Sequence, residues 1–267
     1  MNPAAAPESD APRLILVDLD GTLLRDDHTV SERNAAAISR AVAAGARVVI
    51  ATGRPVRLLG PVRDLPVKPI VLSCNGAILF DLATDSVLDA HLLDGAVFRR
   101  AVEKVRAKGL DFVVGVEGMP DRGVRGEVDF RLGRDLPRGT LAEISAGGVV
   151  KGLIVVEAAE FDRVWDAFSL GFPGELEVTR SGIVGLIEVS ASGVSKGGVI
   201  ADLARGWGIE PSEAIAFGDM PNDLEMFRWA GRSVAMGNAE PEVKLAATEI
   251  GADHNDDAVA QVLERWF

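Results

Sequence analysis

The chain of 267 residues is acidic, with 40 Asp and Glu against 28 Lys and Arg and a formal net charge of −12. This charge argues against a nucleic-acid-binding protein, which needs a basic face for phosphates, and against an anionic membrane surface as a partner. The single cysteine excludes an intramolecular disulfide framework and any zinc site built on several cysteines.

The N-terminal stretch MNPAAAPESDAP has neither a positively charged segment nor an apolar run, so we do not expect a secretion signal. It is predicted to be a short disordered lead-in. The apolar runs elsewhere in the sequence are too short to cross a bilayer. We therefore expect a soluble protein of the reducing cytoplasm.

Short apolar runs bounded by turn-forming residues predict strands that are buried on both faces, as in parallel sheets. These runs are Leu14–Val17, Arg47–Ala51, Pro69–Ser73, Gly152–Val156 and Ala214–Phe217. Helical patterns separate several of them, at Ser31–Ala44, Lys196–Trp207, Glu240–Ala247 and Ala258–Trp266. This alternation predicts an α/β fold with a doubly wound, Rossmann-like parallel sheet.

The middle of the chain, from about Ala83 to Ile187, has a different pattern, which mixes helical segments with strands of an α+β unit. Helices are predicted at Gly95–Lys108 and Phe161–Leu170, and strands at 111–116, 149–157, 175–179 and 183–189. The Gly- and Arg-rich stretch Gly118–Gly139 is predicted to be a loop. We therefore predict a core formed by residues 1–82 and 189–267, with an inserted α+β domain at 83–188.

The strongest chemical signal is the run LILVDLDGTLL at Leu14–Leu24, in which a buried strand leads directly into Asp18 and Asp20. Strand alternation sends both side chains to the same side, and ligands of open α/β sheets bind where strands end. Two carboxylates this close repel each other unless a cation lies between them or one is protonated. Oxygen ligands without Cys or His clusters favour Mg²⁺. The alternative is a strand followed by an Asx turn, where Asp-Gly is common.

Three further segments place polar residues at predicted strand ends or helix starts. They contribute Thr52, Gly53 and Arg54 after the second strand, Lys196 at the start of a helix, and Asp219 and Asp223 after the strand at 214–217. A hydroxyl can bond a phosphate oxygen, glycine lets backbone amides approach it, and a helix N-terminus attracts anions. Each segment alone could be a turn, a solvated charge or a helix cap. Turns do not readily explain all four segments in this order.

Together the four segments resemble the motifs of the haloacid dehalogenase-like phosphohydrolase superfamily. DLDGTLL, ATGR, the lysine of GVSKG and GDMPNDLEM match those motifs in the same order. The insertion resembles the large α/β cap of the Cof-type branch, which sets substrate specificity, and Asn75-Gly76-Ala77 and the VAMGNA sequence at 234–239 are typical of that branch. The resemblance covers nearly the whole chain after about Asp10. It implies a Mg²⁺-dependent phosphatase of small phosphorylated metabolites, with sugar phosphates the favoured substrates.

The resemblance also implies a role for individual residues. Asp18 would be the nucleophile that forms an aspartyl-phosphate, and Asp20 would be the general acid and then the general base. Thr52 and Lys196 would complete the catalytic set by holding phosphoryl oxygens. The residues implied to bind phosphate or substrate are Gly21, Gly53, Arg54, Asn75 and Asn222, and those implied for Mg²⁺ are Asp18, Asp20 through its main-chain carbonyl, Asp219 and the supporting Asp223.

Three other functions remain open at this point. Gly193–Gly197 matches the G-x-S-x-G nucleophile elbow, and Ser195, Asp219 and His254 follow the chain order of an α/β-hydrolase triad, although no HGGG-type oxyanion segment is present. A phospho-acceptor or binding module without turnover would use similar residues but would not need the large insertion. A phosphomutase would return the phosphoryl group to a sugar. The expected partner is a phosphorylated small molecule, with neither nucleic acid nor membrane, and the expected assembly is a monomer or weak homodimer.

Arginines are concentrated in the predicted loop of the insertion, where they could hold a second anionic group. They are Arg122, Arg125, Arg131, Arg134 and Arg138. Acidic residues lie among them, at Asp121, Glu127, Asp129 and Asp135. We therefore favour a solvated loop of salt bridges over an anion-binding site.

Overall fold

The structure is a computed structural model that describes residues 11–130, 136–181 and 183–267. The predicted lead-in falls mostly on residues 1–10, outside the described residues, as do Arg131, Arg134 and Asp135. The chain divides into two compact units. The first unit contains the residues up to Arg54 together with Leu58–Leu88 and Ser195–Phe267, and the second contains Pro55–Arg57 and Asp89–Val194.

The strands and helices of the described residues are numbered in chain order. The strands are β1 (Leu14–Val17), β2 (Arg47–Ala51), β3 (Ile70–Ser73), β4 (Ile78–Asp81), β5 (Ser86–Ala90), β6 (Val113–Glu117), β7 (Val124–Gly126), β8 (Lys151–Val155), β9 (Leu176–Arg180), β10 (Leu186–Ala191), β11 (Ala214–Gly218), β12 (Arg232–Ala235) and β13 (Glu249–Ile250). The α-helices are α1 (Glu32–Ala43), α2 (Gly60–Arg63), α3 (Gly95–Arg106), α4 (Leu141–Ile144), α5 (Phe161–Ser169), α6 (Lys196–Trp207), α7 (Leu224–Trp229), α8 (Pro241–Ala246) and α9 (Ala258–Leu263). Within the described ranges, every helix is too short or too polar to span a membrane.

The first unit is built on an eight-stranded sheet in the order β13-β12-β11-β1-β2-β3-β4-β5. The six strands from β13 to β3 run parallel, and β4 pairs with β3 in the antiparallel direction. All four residues of the central strand β1 are fully buried, as expected for a parallel strand covered on both faces. Helix α1 packs on α9, and α6 packs on α7. The predicted α/β fold with a Rossmann-like parallel sheet is confirmed.

The second unit is built on a five-stranded antiparallel sheet in the order β7-β6-β8-β10-β9. Its larger apolar core includes Phe98 of α3 and Phe168 of α5, packed with Val114 and Val116 of β6. A smaller cluster gathers around Phe130, and Val113 of β6 packs against it. Because side chains alternate along β6, the two clusters lie on opposite faces of this sheet.

Several elements differ from the sequence-based predictions. The stretch Gly118–Gly139 is not all loop, because Val124–Gly126 forms β7 and pairs with β6. Strands β4, β5, β12 and β13 were not predicted either. Three of the unpredicted strands, β5, β7 and β13, lie at sheet edges. Edge strands are short and pair on one side only, so their sequences carry a weak apolar pattern.

Candidate active site

The predicted site residues follow adjacent parallel strands at the points where those strands end. The register pairs Val17 of β1 with Phe217 of β11 on one side and with Ile50 of β2 on the other. The segments after the three strands therefore leave the sheet at its carboxyl edge, as in other open α/β sheets. Asp18 is held there by a hydrogen bond from its backbone N–H to the carbonyl of Phe217, 3.0 Å long.

Lys196, the first residue of α6, is a buried cation shared by two buried carboxylates. Its Nζ lies 2.5 Å from Asp18 Oδ1 and 2.6 Å from Asp223 Oδ1, and Lys196 is 1% exposed. Burial by itself lowers the pKa of Lys196, but the charges of Asp18 and Asp223 and their hydrogen bonds outweigh burial and raise it. The ammonium is therefore retained at neutral pH and bridges two motifs that are far apart in sequence.

Asp223 is fully committed to contacts within the protein. Its Oδ1 accepts from Lys196, and its Oδ2 accepts from the backbone N–H groups of Asp219 and Met220 at 3.0 and 3.1 Å. Asp219 Oδ1 accepts from the buried Thr22 hydroxyl at 2.9 Å. Among the described residues, the second oxygens of Asp18 and Asp219 have no hydrogen-bond donor, so each can accept a ligand.

The carboxylates of Asp18, Asp219 and Asp223 form a cluster in which one oxygen of each lies within 4.8 Å of the others. Because both oxygens of Asp223 are engaged, the free oxygens of Asp18 and Asp219 are the ones that could hold a metal ion. Burial, followed by the charge of Asp223, raises the pKa of Asp219 to about 6, and burial also raises the pKa of Asp18 well above its ordinary value. Three carboxylates against one ammonium leave two uncompensated negative charges. A divalent cation with a preference for oxygen ligands fits both the charge and the donor set.

Metal affinity should depend on pH in a predictable direction. Because burial raises the pKa of Asp219 to about 6 in the metal-free protein, a proton competes with the metal below that pH. We expect the affinity for a divalent cation, measured by calorimetry between pH 5 and 8, to fall by about tenfold per pH unit below the midpoint. Thr22→Val removes a hydrogen bond that lowers this pKa, so it should move the midpoint to higher pH. An affinity that is constant from pH 5 to 7 would contradict the prediction.

Asp20 has a different partner from Asp18. Strand β1 ends at Val17, and the chain then turns: the N–H groups of Leu23 and Leu24 donate to the carbonyls of Asp18 and Leu19. Asp20 therefore lies in this turn, outside the strand. Its half-exposed carboxylate accepts two hydrogen bonds from Arg54, at 2.8 Å from Nε and 2.5 Å from Nη2. The two aspartates of the first motif therefore contact different cations.

Gly21 allows the first motif to turn against Asp219. Its φ is +73°, in the left-handed region that favours glycine, and a Cβ at this position would lie only 2.8 Å from Asp219 Cγ. Its carbonyl accepts a hydrogen bond from Asn238 Nδ2 at 2.9 Å. Any larger residue at position 21 therefore displaces the Asp219 carboxylate.

Gly21→Ala should destabilise the protein and weaken metal binding together. Gly45→Ala is the matched control, because Gly45 also has a positive φ, +95°, but has no atom within 4 Å of an added Cβ. We expect Gly45→Ala to cost about 1 kcal/mol of unfolding free energy from backbone strain alone. Gly21→Ala should cost about 2 kcal/mol more and reduce Mg²⁺ affinity. Equal effects of the two variants in urea unfolding and calorimetry would show that the contact with Asp219 is unimportant.

Thr52 and Asn75 connect the second motif to the fourth. Thr52 is buried, its hydroxyl oxygen accepts from the N–H of Arg54 at 3.0 Å, and its carbonyl accepts from the N–H of Asn75 at 2.9 Å. Asn75, with φ of +58°, accepts from Asn222 Nδ2 at 3.1 Å through its side-chain oxygen. That oxygen would lie 3.4 Å from a Cβ on Gly53. Asn222 Oδ1 is buried and has no hydrogen-bond partner in the described ranges.

The contacts also identify residues that the sequence analysis missed and one motif that serves another purpose. Thr22 and Asn238 were missed, although Thr22 lies within DLDGT and could have been chosen for its hydroxyl. Ser195, considered above as a nucleophile, caps α6 by accepting from Gly198 N–H at 3.2 Å and donates to Glu225. His254 contacts Asp26 at 3.0 Å instead, so the described contacts do not assemble a serine triad.

Known proteins are similar to this chain over most of its length. The profile of a family described as haloacid dehalogenase-like hydrolase matches residues 15–120 and 137–263. A 5-amino-6-(5-phospho-D-ribitylamino)uracil phosphatase of Bacillus subtilis is 30% identical, with 96% of this chain and 98% of the relative covered. A pyridoxal phosphate phosphatase of Escherichia coli is 28% identical, with 94% and 97% covered.

Solved structures of haloacid dehalogenase-like hydrolases are also similar to this chain. The crystal structure of a haloacid dehalogenase-like hydrolase from Bacteroides thetaiotaomicron superposes with a TM-score of 0.78 at 27% identity, covering 96% of this chain and all of that chain. The family profile spans most of both units and includes every motif described above. The chain therefore belongs to the haloacid dehalogenase-like hydrolase family and is a phosphatase of its Cof-type branch.

Proposed function

We propose that the protein is a Mg²⁺-dependent phosphatase of small phosphorylated metabolites, sugar phosphates above all, and that it acts through an aspartyl-phosphate. The observation that carries this proposal is the buried group formed by Asp18, Lys196, Asp219 and Asp223. It combines a carboxylate nucleophile with an excess of negative charge that suits a divalent cation. Both are what phosphoryl transfer requires, since that reaction depends on positioning and charge stabilisation.

In this proposal Asp18 and Asp219 would hold Mg²⁺ through their carboxylates, together with the main-chain carbonyl of Asp20. Asp223 supports them by orienting Lys196 and the backbone of Asp219, because both of its own oxygens are engaged. When bound, Mg²⁺ supplies positive charge that offsets the repulsion between the carboxylate nucleophile and the phosphate.

The reaction has two displacements at phosphorus. A carboxylate oxygen of Asp18 forms a bond to phosphorus while the bond to the substrate oxygen breaks, and Asp20 gives its proton to that leaving oxygen. Water then attacks the aspartyl-phosphate, Asp20 accepts a proton from it, and the bond between phosphorus and Asp18 breaks. Phosphate leaves and the free carboxylate returns. Thr52, Lys196 and Asn222 hold the phosphoryl oxygens, with Gly21, Gly53, Arg54 and Asn75 completing the phosphate-binding loops.

The pair between Arg54 and Asp20 has a place in the second displacement. The ionised Asp20, held by two hydrogen bonds, is the form that accepts a proton from the hydrolytic water. Arg54 fixes the Asp20 carboxylate in one orientation, since its Nε and Nη2 donate hydrogen bonds to both carboxylate oxygens. We propose that Arg54 acts on the reaction chiefly through this orientation of Asp20.

The proposed substrates have a polar part beyond the phosphate. The two relatives above are named for a phosphorylated ribityl compound and for pyridoxal phosphate, which are both small phosphate monoesters. The second unit, which we propose to be the specificity cap, buries polar groups on its sheet. Lys151 Nζ lies 2.8 Å from Glu188, and Glu117 accepts hydrogen bonds from Arg57. Charged and hydrogen-bonding groups of this kind suit a hydroxyl-rich substrate better than an apolar one.

A phosphate-release screen tests the proposal. We expect Mg²⁺-dependent release from several sugar or polyol phosphates and loss of release in EDTA. Phosphorus NMR with sugar mono- and bisphosphates separates hydrolysis from transfer to a second hydroxyl, and continued release beyond one equivalent excludes a phospho-acceptor without turnover. The proposed substrate class fails if only phosphates without hydroxyl groups are hydrolysed, and the metal assignment fails if EDTA has no effect.

A further inference from the structure

Arg125 lies on β7, a strand at the edge of the sheet in the second unit. The side of its guanidinium that carries Nε and Nη2 is called the carboxylate-binding edge below. Its Nε and Nη2 are both buried, and neither has a hydrogen-bond partner among the residues that the structure describes. The same two nitrogens bind a carboxylate in two other arginines. Arg33 donates from them to Glu264, and Arg57 donates from them to Glu117. Arg125 therefore presents the geometry of a bidentate oxyanion site, and no oxyanion of the described residues fills it.

A second arginine lies beside this edge. Both the Cβ of Arg122 and Nη2 of Arg125 lie within 3.4 Å of the point where a Cβ on Gly118 would be. Arg122 is exposed and donates from Nη1 to the carbonyl of Ala146 at 3.1 Å. Within the described part of the chain, its other nitrogens have no hydrogen-bond partner. A side chain at Gly147 would collide with the Arg122 guanidinium. Glycine at position 118 therefore makes room for Arg125 Nη2 beside the base of the Arg122 side chain, and glycine at position 147 makes room for the Arg122 guanidinium.

The acidic residues of this region that the structure describes do not pair with the two arginines. Glu127 pairs with Arg106, and Glu117 pairs with Arg57. Arg138 donates to the backbone carbonyls of Glu127 and Phe130. The expected loop of salt bridges is therefore wrong for the arginines that the structure describes: none of Arg122, Arg125 and Arg138 is paired with a carboxylate of the described residues.

We propose that Arg125 and Arg122 form a binding site for a small oxyanion, a phosphate, sulfate or carboxylate group, at the β6–β7 hairpin. A guanidinium stays charged in proteins, so its buried and unpartnered N–H groups are costly until an anion accepts from them. The hairpin turn between Gly118 and Gly123 is largely exposed, and Gly123 has a φ of +58°. A small shift of this turn, which the two flanking glycines permit, admits the anion to the buried edge.

The bound group has two conceivable sources, a free anion or a second anionic group on the substrate. The binding site itself goes beyond the proposed function and can be tested without turnover. In EDTA the uncompensated carboxylates of the first unit repel anions, so a sulfate titration reports on the arginine site. Failure of sulfate binding and failure of phosphatase activity are therefore separate results.

The first test is calorimetric titration of inorganic sulfate into the full-length protein in EDTA, with ionic strength held constant by chloride. Arg125→Met should weaken sulfate binding by at least about tenfold, because it removes a charge-assisted bidentate contact. Arg163→Met is the matched control, since Arg163 is an exposed arginine of α5 paired with Glu160, and it should bind sulfate like the wild type. Arg125→Lys keeps the charge but lacks the two parallel N–H donors of Nε and Nη2, so its affinity for sulfate should also fall.

Thermal unfolding provides a second readout and guards against misfolded variants. Sulfate should raise the melting temperature of the wild type and of Arg163→Met, relative to chloride, and should not raise that of Arg125→Met. In chloride, Arg125→Met should melt no lower than the wild type, because the unpartnered guanidinium is gone. Equal sulfate affinity of wild type and Arg125→Met overturns the proposal.

Kinetics with Mg²⁺ then identify the source of the anion. If the site recognises substrate, Arg125→Met raises KM about tenfold for esters that carry a second phosphate or carboxylate and leaves KM for simple monophosphates unchanged. If the site takes a free anion, Arg125→Met loses sulfate binding, while its KM values for both kinds of ester stay the same as those of the wild type. Either kinetic result supports the site when it accompanies Arg125-dependent sulfate binding.

Discussion

Asp18→Asn is expected to reduce phosphate release at least about a thousandfold, because an amide cannot act as the nucleophile for phosphorus. The fold should survive this change. Burial and the neighbouring Asp223 and Asp219 raise the pKa of Asp18, so removing its charge relieves repulsion among the carboxylates of the metal-free protein. We therefore expect the unfolding free energy in EDTA to stay the same or increase while activity is lost.

The comparison needs a variant with the same chemical change at a harmless position. Asp202→Asn fits, because Asp202 is an exposed residue of α6 whose ion pair with Arg205 is also exposed. Its activity and stability should match those of the wild type. Retention of more than a tenth of the wild-type rate in Asp18→Asn, measured on the best substrate of the screen, would remove Asp18 from its proposed role.

Lys196→Met should have the largest effect on stability. The substitution leaves Asp18 and Asp223 buried without the ammonium that lies 2.5 and 2.6 Å from them. Breaking a buried ion pair by removing one partner costs about 3 to 5 kcal/mol, because the remaining charges are uncompensated. We expect a loss of this size in urea unfolding at neutral pH without metal, together with loss of phosphatase activity.

Two measurements distinguish this electrostatic effect from a loss of packing. The destabilisation of Lys196→Met should shrink at acidic pH, where Asp18, whose pKa burial raises, takes up a proton, and should also shrink when Mg²⁺ is added. Lys108→Met, at an exposed lysine that follows α3, should change the unfolding free energy little at any pH. A loss in Lys196→Met that is the same at all pH values would point to packing instead.

Local sequence was sufficient for the fold class and for the segments that form the candidate site. Buried strands such as Leu14–Val17 and Arg47–Ala51 have continuous apolar runs, and α6 begins beside a serine that caps it. Such signals are readable without a structure because they arise from residues adjacent in the chain. Parallel strands then bring their carboxyl ends to one edge, so motifs distant in sequence could be predicted to meet.

The partners of individual side chains depended on the tertiary structure. Lys196 and Asp18 are 178 residues apart in sequence, and Asn75 and Asn222 are 147 apart. Residue type alone did not show that Arg54 binds Asp20 or that both oxygens of Asp223 are engaged. The composition of the arginine-rich loop favoured salt bridges, yet no carboxylate of the described residues binds Nε and Nη2 of Arg125. Pairing depends on distances of a few ångströms and on side-chain direction, which strand register and turn conformation decide after the local elements have formed.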